Sequence, residues 1–104
     1  MIAQLDVGAD HPAFAGHFPG FAILPGAALL DEVLHEIARS RSLDLRRWRV
    51  ASVKFLDIVR PGTTLTLEHT AAGGGVRFVV RGSGGAIASG LLSAVAGPAG
   101  ADGV

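Results

Sequence analysis

The pattern that most restricts the fold of this chain is one helical segment followed only by strand and turn. From Pro25 onward, Ala27, Leu30, Leu34, Ile37 and Ala38 recur at helical spacing, with Glu32, Glu36, Arg39 and Ser40 opposite them. That is the spacing of an amphipathic helix with one apolar stripe. Pro25 suits a first helical turn, where a missing N–H costs nothing, and the stretch from Ser40 to Asp44 ends the helix after about four turns. Four β-prone runs follow: Trp48 to Val59, Thr63 to Thr70, Val76 to Arg81 and Ala86 to Val95. Their separators are Pro61-Gly62, Gly73-Gly74-Gly75 and Gly82-Ser83-Gly84-Gly85, and connections this short join antiparallel neighbours. Ile2 to Val7 reads as a further short strand, ahead of a loop from Gly8 to Gly20 punctuated by glycine and proline. The predicted architecture is α+β: strand, loop, helix, then an antiparallel meander, with one helix facing one sheet of about five strands.

With 104 residues the chain has room for a single core, expected over residues 1–96, with 97–104 as a small, Gly-rich tail. Apolar residues make up 49% and charged residues 17%, against about 25% charged in an average soluble chain. Such a chain folds around a core, and its apolar surplus points to surface hidden between subunits, in a homodimer or higher homo-oligomer. Nine basic and nine acidic side chains cancel, which argues against nucleic acid as a partner. The absence of cysteine removes disulfides, thiolate metal sites and cysteine nucleophiles. No apolar run reaches the roughly 18 residues of a membrane span and the first residues lack a signal-peptide pattern, so a cytoplasmic protein without membrane contact is expected.

Three features around the helix start can do chemistry. His17 lies in Gly16-His17-Phe18-Pro19-Gly20, a tight backbone with Phe14 and Phe18 as an apolar wall, where an imidazole can serve as a general base. The plainer reading is a packed loop histidine bonded to backbone. Asp31 falls at the edge of the expected apolar stripe, near Ala27 and Ala38, where partial desolvation would let a carboxyl carry a proton as a general acid. His35, one turn on, can bond to it; the plainer reading of Asp31 is a boundary residue with its head in water. In Leu24-Pro25-Gly26-Ala27-Ala28 the first-turn N–H groups lack internal partners, so the Gly26 N–H can act as an oxyanion donor. Equally, glycine and alanine there can serve close packing of helix on sheet. His11, His17, Asp31 and His35 offer nitrogen and oxygen ligands, but neither a paired-histidine helical motif nor thiolates accompany them, so no metal is expected. Arg46-Arg47-Trp48-Arg49 reads as a solvated strand start, and His69 as a strand-end residue with no obvious partner.

The run from Ala15 to Asp31, containing Gly16-His17-Phe18-Pro19-Gly20 and Leu24-Pro25-Gly26, closely resembles the active-site signature of the hotdog-fold 3-hydroxyacyl-acyl carrier protein dehydratases. The fourteen residues from His17 to Asp31 match the separation of histidine and acid in that family. Val53-Lys54-Phe55 and Arg60-Pro61-Gly62 resemble the strand and turn that follow its helix, and the Asp-His-Pro-Ala-Phe lead-in is most like the small aryl-polyene dehydratases. The resemblance covers roughly residues 5 to 92. It implies a hotdog fold, a sheet wrapped around a central helix, dimerised into a continuous sheet with two sites at the subunit interface.

It also implies roles. His17 would take the C2 proton of a (3R)-hydroxyacyl thioester on acyl carrier protein, while Asp31 of the other subunit protonates the departing hydroxyl, leaving a trans-2-enoyl thioester for fatty-acid or polyene biosynthesis. The Gly26 N–H would hold the thioester carbonyl and the Ile23 carbonyl would orient the histidine ring, with His35 and Phe18 in support. No cofactor is required, because the thioester stabilises the developing enolate. The chain departs from the family pattern with Asp31 where most small members carry glutamate, His35 where glutamine is usual, and Ala22 in place of a proline. Arg39, Arg41, Arg46, Arg47, Lys54 and Arg60 are candidate contacts for an acidic carrier protein, the plainer reading being ordinary surface charge. Two alternatives stand beside this reading: a hotdog acyl thioesterase, and a non-catalytic acyl-binding or heterodimer partner subunit.

Overall fold

In the computed structural model the described residues are 1–6, 26–60 and 62–95. They form β1 (Ile2–Asp6), α1 (Gly26–Arg41), a 3-10 turn (Leu45–Arg47), β2 (Trp48–Phe55), β3 (Thr64–Ala72), β4 (Gly75–Gly82) and β5 (Gly85–Ala94). The expected tail lies outside the described residues. One five-stranded sheet contains every strand in the order β1-β3-β4-β5-β2, and every pairing is antiparallel.

The meander is confined to β3, β4 and β5. In the β3–β4 turn, Gly73 and Gly74 have φ of 50° and 82°, and the register closes on Ala72 opposite Gly75. Two consecutive positive φ values are what a tight hairpin with the right-handed strand twist demands, and glycine supplies them without steric cost. The expectation that β2 and β3 are also hairpin neighbours is corrected: β2 pairs with β5, while β3 takes β1. Local turn chemistry at Pro61-Gly62 made a hairpin plausible, but the segment after Phe55 leaves the sheet. The N–H groups of Leu56 and Asp57 both turn to the Ile87 carbonyl, at 2.7 and 3.3 Å, and Val59 is buried beyond them. These bonds also end β2 at Phe55 rather than at Val59.

A β-bulge between Val50 and Ser52 shifts the phase of β2. Successive strand residues alternate faces, so one extra residue lets Trp48 and Val50 before it, and Val53 after it, share a side. All three pack against the core.

The helix contributes Leu29, Val33 and Ile37, 2%, 1% and 0% exposed, each worth about 1.5–3 kcal/mol of transfer free energy. They meet Leu65 and Leu67 of β3, Val76, Phe78 and Val80 of β4, and Leu92 of β5 in one cluster. The stripe is rotated from the expected one. Ile37 is common to both, Leu30 and Leu34 flank the core, and Ala27 is exposed. The larger Leu29 and Val33 face the sheet, and the alanines, with little surface to bury, do not set the helix's rotation. His69 is also corrected. It lies within β3, 1% exposed, and Arg41 at the end of α1 donates to its ring.

Candidate active site

The candidate site is built on the N-terminal half of α1. Gly26 is the first residue of that helix, whose first turn holds no acidic side chain. Its unpaired N–H groups and the positive end of the helix dipole are therefore not neutralised from within that turn. The Phe55 ring lies directly on Gly26: a Cβ added there would sit 3.0 Å from the ring Cζ. Close packing thus accounts for glycine at this position, and it is compatible with donation of the N–H to a ligand. Phe55 is 46% exposed; the sequence marks it as part of the strand after the helix and not as a site residue. Its place beside the helix start depends on the β2 bulge and on pairing with Ala88, neither of which leaves a local signal.

Asp31 is not at the edge of the buried stripe. Advancing about 100° per residue from Leu29, Val33 and Ile37, it stands about 160° from the centre of the stripe, on the outward face with His35. Their side chains are 67% and 68% exposed. The expected partial desolvation is absent within the single chain, because it assumed a stripe whose edge reached Ala27 and Ala38.

The contact between Asp31 and His35 suggested by their spacing is present. His35 Nδ1 lies 2.8 Å from the main-chain oxygen of Asp31 and 3.3 Å from its Oδ1. A carbonyl oxygen only accepts, so Nδ1 carries a proton and donates, which leaves Nε2 directed away from Asp31. His17, Phe18 and Ile23 lie outside the described residues, as does His11. Among the described residues no three histidine or carboxylate side chains group as metal ligands.

The six cations considered for a carrier protein separate into two groups. Arg39 is paired with Glu36 at 2.6 Å, Arg46 with Asp44 at 3.0 Å, and Arg41 is turned inward to His69. Hydrogen bonds from Arg39 and Ser40 hold the Glu36 carboxyl below its ordinary pKa, and those from Arg46 do the same for Asp44. Arg47, Lys54 and Arg60 have no carboxylate partner among the described residues. A groove of about 430 Å³ crosses the sheet between Lys54 and Arg77, floored by Ser89 and Gly90, and it does not include Gly26 or Asp31.

The family model of the ApeI-like dehydratases, described as ApeI dehydratase, matches residues 1–91. The chain belongs to the ApeI-like dehydratase family. It is 37% identical over 78 residues to the 3-hydroxyacyl-[acyl-carrier-protein] dehydratase FabZ of Oenococcus oeni, covering 67% of this chain and 55% of that relative. The ApeI-like chain thus spans about half the length of the FabZ relatives it matches. Among solved structures it resembles the dehydratase heterocomplex ApeI:P from Xenorhabdus doucetiae, with a TM-score of 0.74, 26% identity, and coverage of 90% of this chain and 85% of that one. The dehydratase domain of the polyketide PpsC from Mycobacterium tuberculosis shares the fold, with a TM-score of 0.75 at 19% identity, over 90% of this chain and 38% of that one. The five-stranded antiparallel sheet with one helix is the hotdog arrangement of these proteins.

Proposed function

We propose that this chain dehydrates (3R)-hydroxyacyl thioesters carried on acyl carrier protein to trans-2-enoyl thioesters. The observation that carries this reading is the family match over residues 1–91, which includes the signature holding both His17 and Asp31. His17 removes the proton at C2 and Asp31 gives a proton to the 3-hydroxyl, which departs as water. The Gly26 N–H receives the thioester oxygen as negative charge develops on it, an electrostatic role suited to a helix whose first turn holds no acidic side chain. The Ile23 carbonyl orients the imidazole and Phe18 shields it. The proton count closes when His17 returns its proton to solvent and Asp31 regains one.

Asp31 on an outward face supports a site completed by a second subunit. Strand β2 occupies a sheet edge, and Phe55 and Leu56 at its end are 46% and 53% exposed. A partner joining that edge would continue the sheet, cover this apolar surface and desolvate the outward face of α1. The homodimer is the first reading. A second, favoured by the heterocomplex from Xenorhabdus doucetiae, has the chain complete a site with a different dehydratase subunit. No helix among the described residues is long and apolar enough to cross a membrane, and the proposed place of action is the cytoplasm.

The deciding assay is hydration of a crotonyl or longer enoyl thioester by the wild type, His17→Ala and Asp31→Asn, with oligomeric state measured by light scattering. Loss of turnover in both folded variants of a dimer is expected. Wild-type rates in either would overturn the reading, and release of free thiol without enoyl interconversion would replace it with a thioesterase. Turnover that appears only on co-expression with a second dehydratase subunit would establish the heteromeric form.

A further inference from the structure

We propose that His69 and Arg41 form an acid-released latch that fastens the C-terminal turn of α1 to the β1–β3 edge of the sheet. The inference is independent of the dehydratase reading. His69 is 1% exposed and lies opposite Phe78 in the β3–β4 register. The Arg41 Nε–H donates to His69 Nδ1 at 2.7 Å, and Arg41 Nη2 donates to the His69 carbonyl at 3.2 Å. That carbonyl also accepts from the Met1 α-amino group at 2.7 Å, while the His69 N–H donates to the Met1 carbonyl at 2.8 Å. One residue therefore ties the end of the helix and the start of β1 to β3.

A guanidinium has only donors, so Nδ1 in the closed latch must present its lone pair, and the neutral ring carries its proton on Nε2. Nε2 is buried and has no hydrogen-bond partner among the described residues. A second proton would have to enter at Nδ1. It would point at the Arg41 N–H, setting donor against donor and cation against cation beside a ring that is 1% exposed.

The charged groups facing His69 are Arg41 and Glu36 from α1 and the α-amino group ahead of β1; β4 presents the apolar Phe78. Only Glu36 favours a charged ring, and its carboxylate is already engaged by Arg39 and Ser40. Burial first, then Arg41 and the α-amino group, hold the His69 pKa below its ordinary value.

The sign follows from linkage. The open form binds a proton that the closed form excludes, so the latch is at full strength above the ordinary histidine range. It weakens as pH falls through that range toward the folded value. Within this window the opening constant rises by up to about tenfold for each pH unit.

The test is amide hydrogen exchange of His69 and β1 in the full chain from pH 8 to 5.5, corrected for intrinsic rates, with an NMR titration of the His69 ring. The expected result is an Nε2–H tautomer, a ring that titrates below ordinary histidine, and faster opening on acidification. His69→Phe, which keeps a ring but cannot titrate, should abolish the pH slope. If that variant does not fold, Arg41→Gln serves instead: its His69 should titrate at a higher pH than in the wild type. An ordinary titration unmoved by Arg41→Gln, corrected exchange that does not vary with pH, or an unchanged slope in His69→Phe would each overturn the latch.

Discussion

The two ends of α1 are finished to different degrees within one chain. At its C-terminal end Arg41 is turned inward onto a buried histidine, and both of its bonds to that residue are made inside the molecule. Within its first ten residues Asp31 and His35 face outward, their side chains about two-thirds exposed and bonded to each other. Two histidines near one helix thus have opposite surroundings. His69 is locked in one tautomer by a cation and by burial, while His35 takes the other tautomer because a main-chain carbonyl accepts from its Nδ1. The first end reads as structure complete in itself, the second as a surface awaiting a substrate and a neighbour.

Substitutions at the two ends should therefore separate activity from stability. The largest effect is expected for Asp31→Asn, with enoyl-thioester hydration falling by about 10²–10⁴-fold, the usual scale for losing a general acid. Its unfolding free energy in urea should stay within about 0.5 kcal/mol of wild type, because the side chain is exposed in the single chain; a large stability loss would erase the contrast between the two ends. Next, Ile37→Ala, at a fully buried position, should cost about 2–5 kcal/mol in chemical denaturation. Activity per folded molecule should change little, and a stability change under 1 kcal/mol would mean the stripe is loosely packed.

Gly26→Ala tests the boundary between the two regions. Alanine gains up to about 1 kcal/mol over glycine in a helix interior and less at this first position, and its Cβ would press on the Phe55 ring at 3.0 Å. The half-exposed ring can swing aside, so net stability should move by less than about 1 kcal/mol. Phe55→Ala should relieve the contact, which a double-mutant cycle would detect. The smallest effect is expected for Lys54→Glu. As an exposed charge without a carboxylate partner among the described residues it should raise KM for carrier-bound substrate by only about two- to fivefold, more at low salt. Arg46→Glu, at a cation already held by Asp44, should do less, and equal effects would refute the division of the cations.

Much of the fold was readable residue by residue because the signals are local. Gly73 and Gly74 between two β-prone runs mark a hairpin, and the apolar recurrence from Ala27 to Ala38 marks a helix. Its rotation is not encoded locally, because Leu29 and Leu30 are equally apolar, and only the shape of the sheet beneath selects Leu29. That choice carried Asp31 from the edge of the stripe to the outward face. His69 gave no signal at all, since its partner Arg41 stands 28 residues away and the pairing exists only once α1 lies across β3.

By itself, then, the sequence determined the kinds of element, their order and turns, and the signature that places the chain in its family, since each depends on neighbours within a few residues. Tertiary structure alone decided that β2 crosses to β5, that Phe55 comes to rest on Gly26, and that Arg41 closes over His69. These are contacts between distant segments, and their selection lies in how the assembled core is filled, which no short window of residues encodes.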